Sequence, residues 1–210
     1  MTRRLAALAI AVLALACGDR EGRSAPAAEA SAPPADTLDV AIFAGGCFWC
    51  VEEAFDAVPG VVRTTSGYIG GRGAEPTYEQ VSSGGTGHAE AVRVIFDPRR
   101  VSYDRLLAVF WRNIDPTDAG GQFCDRGDQY RSAIFTRNAA QRRRAEASKA
   151  RIERSKPFDE PVVTPIVDAS TFWEAEEYHQ DYHQRNSLRY KVYKFGCGRE
   201  RRLDRLWGDG

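Results

Sequence analysis

The chain has 210 residues, 43% of them hydrophobic and 10% aromatic, enough to bury the core of one domain. Lys+Arg and Asp+Glu both number 29, so the formal charge is zero and no basic surface for nucleic acid or another polyanion is expected. One local excess, Arg137, Arg142, Arg143, Arg144, Lys149 and Arg154, alternates with Ala and Glu at helical spacing and reads as a solvated helix face.

Arg3-Arg4 precedes an unbroken apolar run over residues 5–16. It is shorter than the about 20 residues a membrane span needs and has the form of a signal-peptide core, so residues 1–16 are expected to direct export. Ala14-Leu15-Ala16 fits ordinary signal cleavage. The same stretch with Cys17 resembles a lipobox, although Ala14 stands where Leu is usual, and it makes Cys17 a candidate lipidation site. Residues 17–36 are rich in Ala, Pro, Ser and Glu and read as a tether. The folded domain is expected to occupy residues 37–210.

Residues 39–44 form a short apolar run bounded by Gly45-Gly46, a strand followed by a break. Residues 47–58 read as a helix ended by Pro59-Gly60. Strands are expected at 61–66 and 89–96, joined by a Gly/Pro/Ser-rich connection carrying Tyr68, Tyr78 and His88. A helix follows at 102–114, then a long loop at 115–129, and loops of that length in a small domain are usually functional. A strand is predicted at 130–136 and an Arg-rich helix opened by Asn138 and Gln141. Another strand is predicted at 161–167, and a helix from Thr171 and Glu174 to about 184. The tail is expected to turn at Gly196-Cys197-Gly198 and to end in a short helix near Trp207. This order points to an α+β domain, helices packed on a mixed or antiparallel sheet with a ferredoxin-like core, long functional loops and an irregular C-terminal tail.

The chain has five cysteines, Cys17, Cys47, Cys50, Cys124 and Cys197, too few for a disulfide scaffold. Cys47 lies where a Gly-Gly turn meets the start of a helix, three residues before Cys50. Helix N-termini and Cys-x-x-Cys spacing both lower a thiol's pKa, so Cys47 is expected to be ionised near neutral pH. Cys124 reads as a packed thiol. His179 and His183 stand four apart as metal ligands do on a helix, but the Glu of a protease motif is missing, so they read as surface or capping residues.

Gly45-Gly46-Cys47-Phe48-Trp49 resembles the signature of the A-type peptide methionine sulfoxide reductases. The likeness continues through Ser66-Gly67-Tyr68, Pro76-Thr77-Tyr78, Gly87-His88-Ala89-Glu90-Ala91-Val92, Asp125-Arg126-Gly127, Gln129-Tyr130-Arg131-Ser132 and Phe172-Trp173-Glu174 to Tyr182, covering about residues 39–195. The resemblance implies thiol-dependent reduction of methionine S-sulfoxide, free and in proteins. Cys47 is then the nucleophile, which becomes a sulfenic acid and closes an intramolecular disulfide that thioredoxin or another dithiol reopens. It implies Glu90 as the acid, Tyr78 and Tyr130 as donors to the sulfoxide oxygen, and Phe48, Trp49, Asp125 and Tyr182 as substrate-binding residues. No bound cofactor or metal is implied. The expected partners are oxidised proteins or free methionine sulfoxide and a thioredoxin-like reductant, with no nucleic acid, membrane contact only through an N-terminal lipid, and a monomeric chain in the periplasm or cell envelope.

Many members carry Gly in place of Cys50 and two cysteines in a Gly-rich tail. The resolving thiol is therefore open between Cys197, on the tail, and Cys50, whose helix must distort to meet disulfide geometry. Cys197 is the favoured of the two, and a relay through both is a third route. Two other functions fit parts of the sequence. An exported thioredoxin-like disulfide oxidoreductase uses Cys-x-x-Cys but leaves the Tyr78, Glu90, Asp125 and Tyr130 blocks unexplained. A zinc-binding surface lipoprotein needs a second matched ligand pair. Met1 is the only methionine, which suits an enzyme of oxidised methionine and equally suits drift in composition.

Overall fold

The computed structural model describes residues 37–208; the predicted signal segment, Cys17 and the tether lie outside the described residues. Six strands form one sheet, and β4 (Gly121–Gln122) pairs antiparallel with β5 (Asp125–Arg126) in a second, two-stranded one. The centre of the larger sheet is β1 (Asp39–Gly45), antiparallel to β3 (Ala89–Phe96) on one side and to β6 (Ser132–Thr136) on the other. Strand β2 (Val61–Ile69) pairs antiparallel with β3. With helices α1 (Phe48–Asp56) after β1 and α3 (Tyr103–Arg112) after β3, these strands make the ferredoxin-like order β6-β1-β3-β2. Short strands extend both edges: β7 (Ile166–Asp168) runs parallel to β6, and β8 (Trp173–Glu174) antiparallel to β2. The sheet is therefore mixed. Among the described residues no helix is long and apolar enough to cross a membrane.

Alternation along the central strands divides two cores. Ala41, Phe43, Val92, Val94 and Ile134 face α1 and α3, where Phe55, Leu106, Leu107 and Phe110 meet them. Phe43 stacks on Phe55 at 4.9 Å and on Phe110 at 5.1 Å. Ile42, Ala44, Ala89, Ala91 and Phe135 face the opposite side, under Val167 and Phe172. Both faces of β1 are thus covered, which explains its continuous rather than alternating hydrophobicity. Helix α4 (Ala139–Ser155) opens with Asn138 accepting the Gln141 N–H and turns its arginines outward, where Arg142 meets Asp168 and Arg144 meets Asp104.

Three predicted elements differ. Of residues 161–167, only the end joins a strand, because Pro161 and Pro165 lack the N–H that ladder pairing needs. The helix expected from Thr171 is instead β8, a single turn at Glu177–His179, and α5 (Tyr182–Arg185). Gln180 accounts for this: its amide accepts the Ser66 N–H and donates to the Ser66 and Ala175 carbonyls, so the segment bonds to the sheet edge rather than to itself. Asp181 then takes a left-handed conformation (φ 53°) that separates the turn from α5. The tail is not irregular. It forms α6 (Ser187–Cys197) and α7 (Arg199–Trp207), with left-handed Gly198 (φ 69°) between them.

Candidate active site

The turn from β1 into α1 carries Cys47 at the N-cap of the helix. Gly46 adopts φ 85°, and a Cβ there would stand 2.6 Å from Cβ of Gln122. The glycine thus admits Gln122, not a ligand. This fully buried side chain accepts the Asp115 N–H and donates to the Asp115 carbonyl, both at 2.8 Å, which folds the long loop against the turn.

Cys47, Phe48, Trp49, Tyr78, Glu90, Asp125, Tyr130 and Tyr193 line one cavity of about 90 Å³. Glu90 projects from β3 and is buried, and its Oε2 accepts the Phe48 N–H at 3.0 Å. Burial pushes its carboxyl up to about 8, against the pull of that hydrogen bond, so Glu90 keeps its proton at neutral pH. Tyr78 and Tyr130 both line the cavity, and burial raises the pKa of both hydroxyls. Phe48 is fully buried, and Trp49 stacks on Tyr182 with ring centroids 3.8 Å apart. Asp125 is held above the ordinary carboxylate range by burial, opposed by the hydroxyl of Tyr193 that donates to its Oδ2.

Two residues orient these walls. His179 is buried, and its Nδ1 accepts the Trp49 indole N–H at 3.2 Å; burial lowers its pKa, which favours the neutral ring that can accept. Glu176 accepts the Tyr68 hydroxyl at 2.9 Å and the Tyr78 N–H at 2.8 Å. His183 stands apart on α5, 3.5 Å from Asp56 and 3.9 Å from Glu52, so the two histidines do not share a helix face.

The cysteines depart most from expectation. Cys47 and Cys50 are free and buried, one helical turn apart, with the Cys50 N–H donating to the Cys47 carbonyl at 3.1 Å. Burial raises the Cys47 pKa, and the neighbouring Cys50 thiol raises it further, so the low value expected at a helix start is not met. The neighbouring Cys47 thiol and the charges of Arg199 and Lys194 lower that of Cys50, against its burial. Cys197 does not reach Cys47. It forms a disulfide with Cys124, which is therefore no packed thiol. The reason is that α6 stays helical to its last residue and delivers Cys197 to the loop at Cys124. Cys124, Asp125 and Cys197 make the one cluster of metal-ligand type among the described residues, and the bonded sulfurs are not available as thiolates.

Comparison with known proteins bears directly on this site. A family model described as peptide methionine sulfoxide reductase matches residues 39–210. The chain belongs to that family. Among relatives of this reductase, the peptide methionine sulfoxide reductase MsrA of Bacillus licheniformis is 51% identical over 174 residues, 83% of this chain and 96% of that protein. MsrA 2 of Rhizobium meliloti is 56% identical over 169 residues, 80% of this chain and 83% of that one. Among solved structures, reduced Mxr1 of Saccharomyces cerevisiae has a TM-score of 0.68 at 28% identity, covering 72% of this chain and 87% of its own. Methionine sulfoxide reductase A of Corynebacterium diphtheriae has a TM-score of 0.63 at 31% identity, with coverages of 72% and 76%. The thioredoxin-like alternative is not favoured.

Of the residues the resemblance implied, Cys47, Phe48, Trp49, Tyr78, Glu90, Asp125 and Tyr130 line this reductase cavity, whereas Tyr182 is not among its lining and stacks on Trp49. Sequence reasoning missed Tyr193, which no motif marks; helical spacing of Tyr190, Tyr193 and Cys197 is the only signal it leaves.

Proposed function

We propose that this reductase acts on methionine S-sulfoxide, free and in proteins, through Cys47, with Cys50 rather than Cys197 as the resolving thiol. The observation that carries the reading is the shared cavity: a thiol, a carboxyl group protonated at neutral pH and two tyrosine hydroxyls meet beside Phe48 and Trp49. Phe48 and Trp49 hold the S-methyl group. The Cys47 thiolate attacks the sulfoxide sulfur while Glu90 gives its proton to the oxygen, steadied by Tyr78 and Tyr130. The Cys47–sulfur bond so formed then breaks as the oxygen passes from the substrate sulfur to Cys47, so methionine leaves and Cys47 becomes a sulfenic acid. The Cys50 thiol attacks that sulfur; water departs and the Cys47–Cys50 disulfide closes. A thioredoxin-like dithiol then reduces it and is itself oxidised. The free Cys50 thiol one helical turn from Cys47 supports Cys50, and engagement of Cys197 with Cys124 argues against the tail.

Residues 1–16 are read as an export signal, residues 17–36 as a tether and residues 37–210 as the catalytic domain. Cys17 is read as lipidated, with a monomeric chain anchored in the cell envelope or periplasm. The apolar run and the placement of Cys17 support this.

Thioredoxin-driven turnover tests the thiol assignment. Cys50→Ser is expected to complete one turnover and then stop, whereas Cys197→Ser continues to cycle. Sustained cycling by Cys50→Ser, with arrest in Cys197→Ser, would return the resolving role to the tail.

A further inference from the structure

The Tyr193 hydroxyl donates to Oδ2 of Asp125, and its ring stands edge-on to Trp49 at 5.9 Å and 85°. It lines the cavity with Cys47. The Tyr193 hydroxyl, its acceptor Asp125 and the Cys47 thiol therefore meet in one small cavity of about 90 Å³. Helix α6, which carries Tyr193, has little apolar grip on the domain. Tyr190 is its one buried residue, while Leu188, Val192 and Phe195 are exposed. What fixes it is polar and covalent. Tyr190 and Lys194 both bond to Glu53 of α1, and Cys197 is bonded to Cys124, the residue next to Asp125. The disulfide thus joins the two segments that meet at the Tyr193–Asp125 hydrogen bond.

We propose that Tyr193 is a catalytic residue that passes the Cys47 proton to Asp125, and that the Cys124–Cys197 disulfide is the clamp positioning it. The proposal rests on Cys47 being the nucleophile. As the Cys47 S–H bond breaks, its proton goes to the Tyr193 oxygen while the Tyr193 proton goes to Asp125. Cys47 is left as the thiolate, Tyr193 stays neutral, and no electrons are exchanged. The direction fits the surroundings: burial has already raised the proton affinity of Asp125. The other titratable groups facing Cys47 are Cys50 on its own helix, Glu90 from β3, Tyr78 from α2 (Tyr78–Ser82) and Tyr130. Glu90 must keep its proton for the sulfoxide oxygen, and Cys50 is not among the residues that line the cavity. Asp125, reached through Tyr193, is the remaining acceptor.

The pH profile of Cys47 alkylation by iodoacetamide tests this in the full chain carrying Cys50→Ser. The chain is purified without reductant so that Cys124–Cys197 stays closed, and labelling is read by mass on the peptide containing Cys47. Tyr193→Phe is expected to move the midpoint up by about one pH unit, slowing labelling at pH 7 about tenfold, as for loss of a hydrogen bond to a charged group. Replacing Cys124 and Cys197 together by Ala is expected to move it the same way by less, because Arg199 still stacks on Phe123 at 4.5 Å. Added to Tyr193→Phe, the cysteine changes should shift the midpoint no further. A Tyr193→Phe midpoint equal to the parent's would overturn the relay. A cysteine effect that persists in full on top of Tyr193→Phe would overturn the clamp. Tyr193→Phe removes only a hydroxyl, so the relay is tested even where the cysteine variant unfolds. Sulfoxide reduction surviving Cys47→Ser is a separate result that removes the underlying reading instead.

Discussion

At the scale of single residues, burial decides the chemistry of the site. A carboxyl group in water gives up its proton near pH 4, but Glu90 is sealed between β3 and α1, and its pKa rises to about 8. It is therefore an acid over the pH range in which a thiol begins to ionise. Turnover should fall as pH rises through about 8, because Glu90 loses the proton it must deliver. Glu90→Gln is expected to lower kcat by about 10²–10⁴-fold, as for other general acids, and to remove that alkaline limb. Steady-state kinetics between pH 6 and 9 would check both effects. The same burial works against Cys47. Its thiol is raised rather than lowered, by burial first and by the neighbouring Cys50 thiol second. Position at a helix start is a local fact visible in the chain order. The removal of water from that position is a tertiary one, and sequence spacing carries no sign of it.

At the scale of elements, the turn between β1 and α1 is the precision part of the fold. Gly46 combines a left-handed backbone with a close approach to Gln122 that no side chain tolerates. Gly46→Ala should cost about 2 kcal/mol or more in denaturant unfolding and should lower activity further by displacing Cys47. A Gly46→Ala protein with unchanged stability would refute this role for the turn. This unit was legible in the sequence because strand, glycines, cysteine and helix follow one another within twenty residues. The ends of β3 and the capping of α4 were legible for the same reason. Residues 171–184 were not, since Thr171 and Glu174 imitate a helix start while Gln180 satisfies a strand that lies more than one hundred residues earlier. The pairing of Cys124 with Cys197 is likewise long-range, 73 residues apart, and only the folding of α6 brings the two together.

At the scale of the whole molecule, two buried acids make stability depend on pH. Glu90 and Glu52 are each raised to about 8 by burial, Glu52 also by the nearby Asp56. A carboxyl group with a raised folded-state pKa binds more protons folded than unfolded, so its contribution is complete below pH 4 and is lost as pH rises through 8. Thermal melting is therefore expected at lower temperature at pH 8.5 than at pH 6, with a smaller difference in Glu52→Gln. A slope unchanged in that variant would show that Glu52 is not the origin. Glu52 lies on α1 with Cys47 and Cys50, so the element that carries the reactive thiols also bears this cost.

The cavity around Cys47 is suited to reducing the S epimer of methionine sulfoxide. The direct measurement is methionine release from the separated S and R epimers of a sulfoxide-containing peptide, with dithiothreitol as reductant, by the parent chain and by Cys47→Ser. Methionine is expected from the S epimer alone, and none when Cys47 is replaced. Disulfide reduction without sulfoxide reduction, or release undiminished in Cys47→Ser, would contradict that assignment.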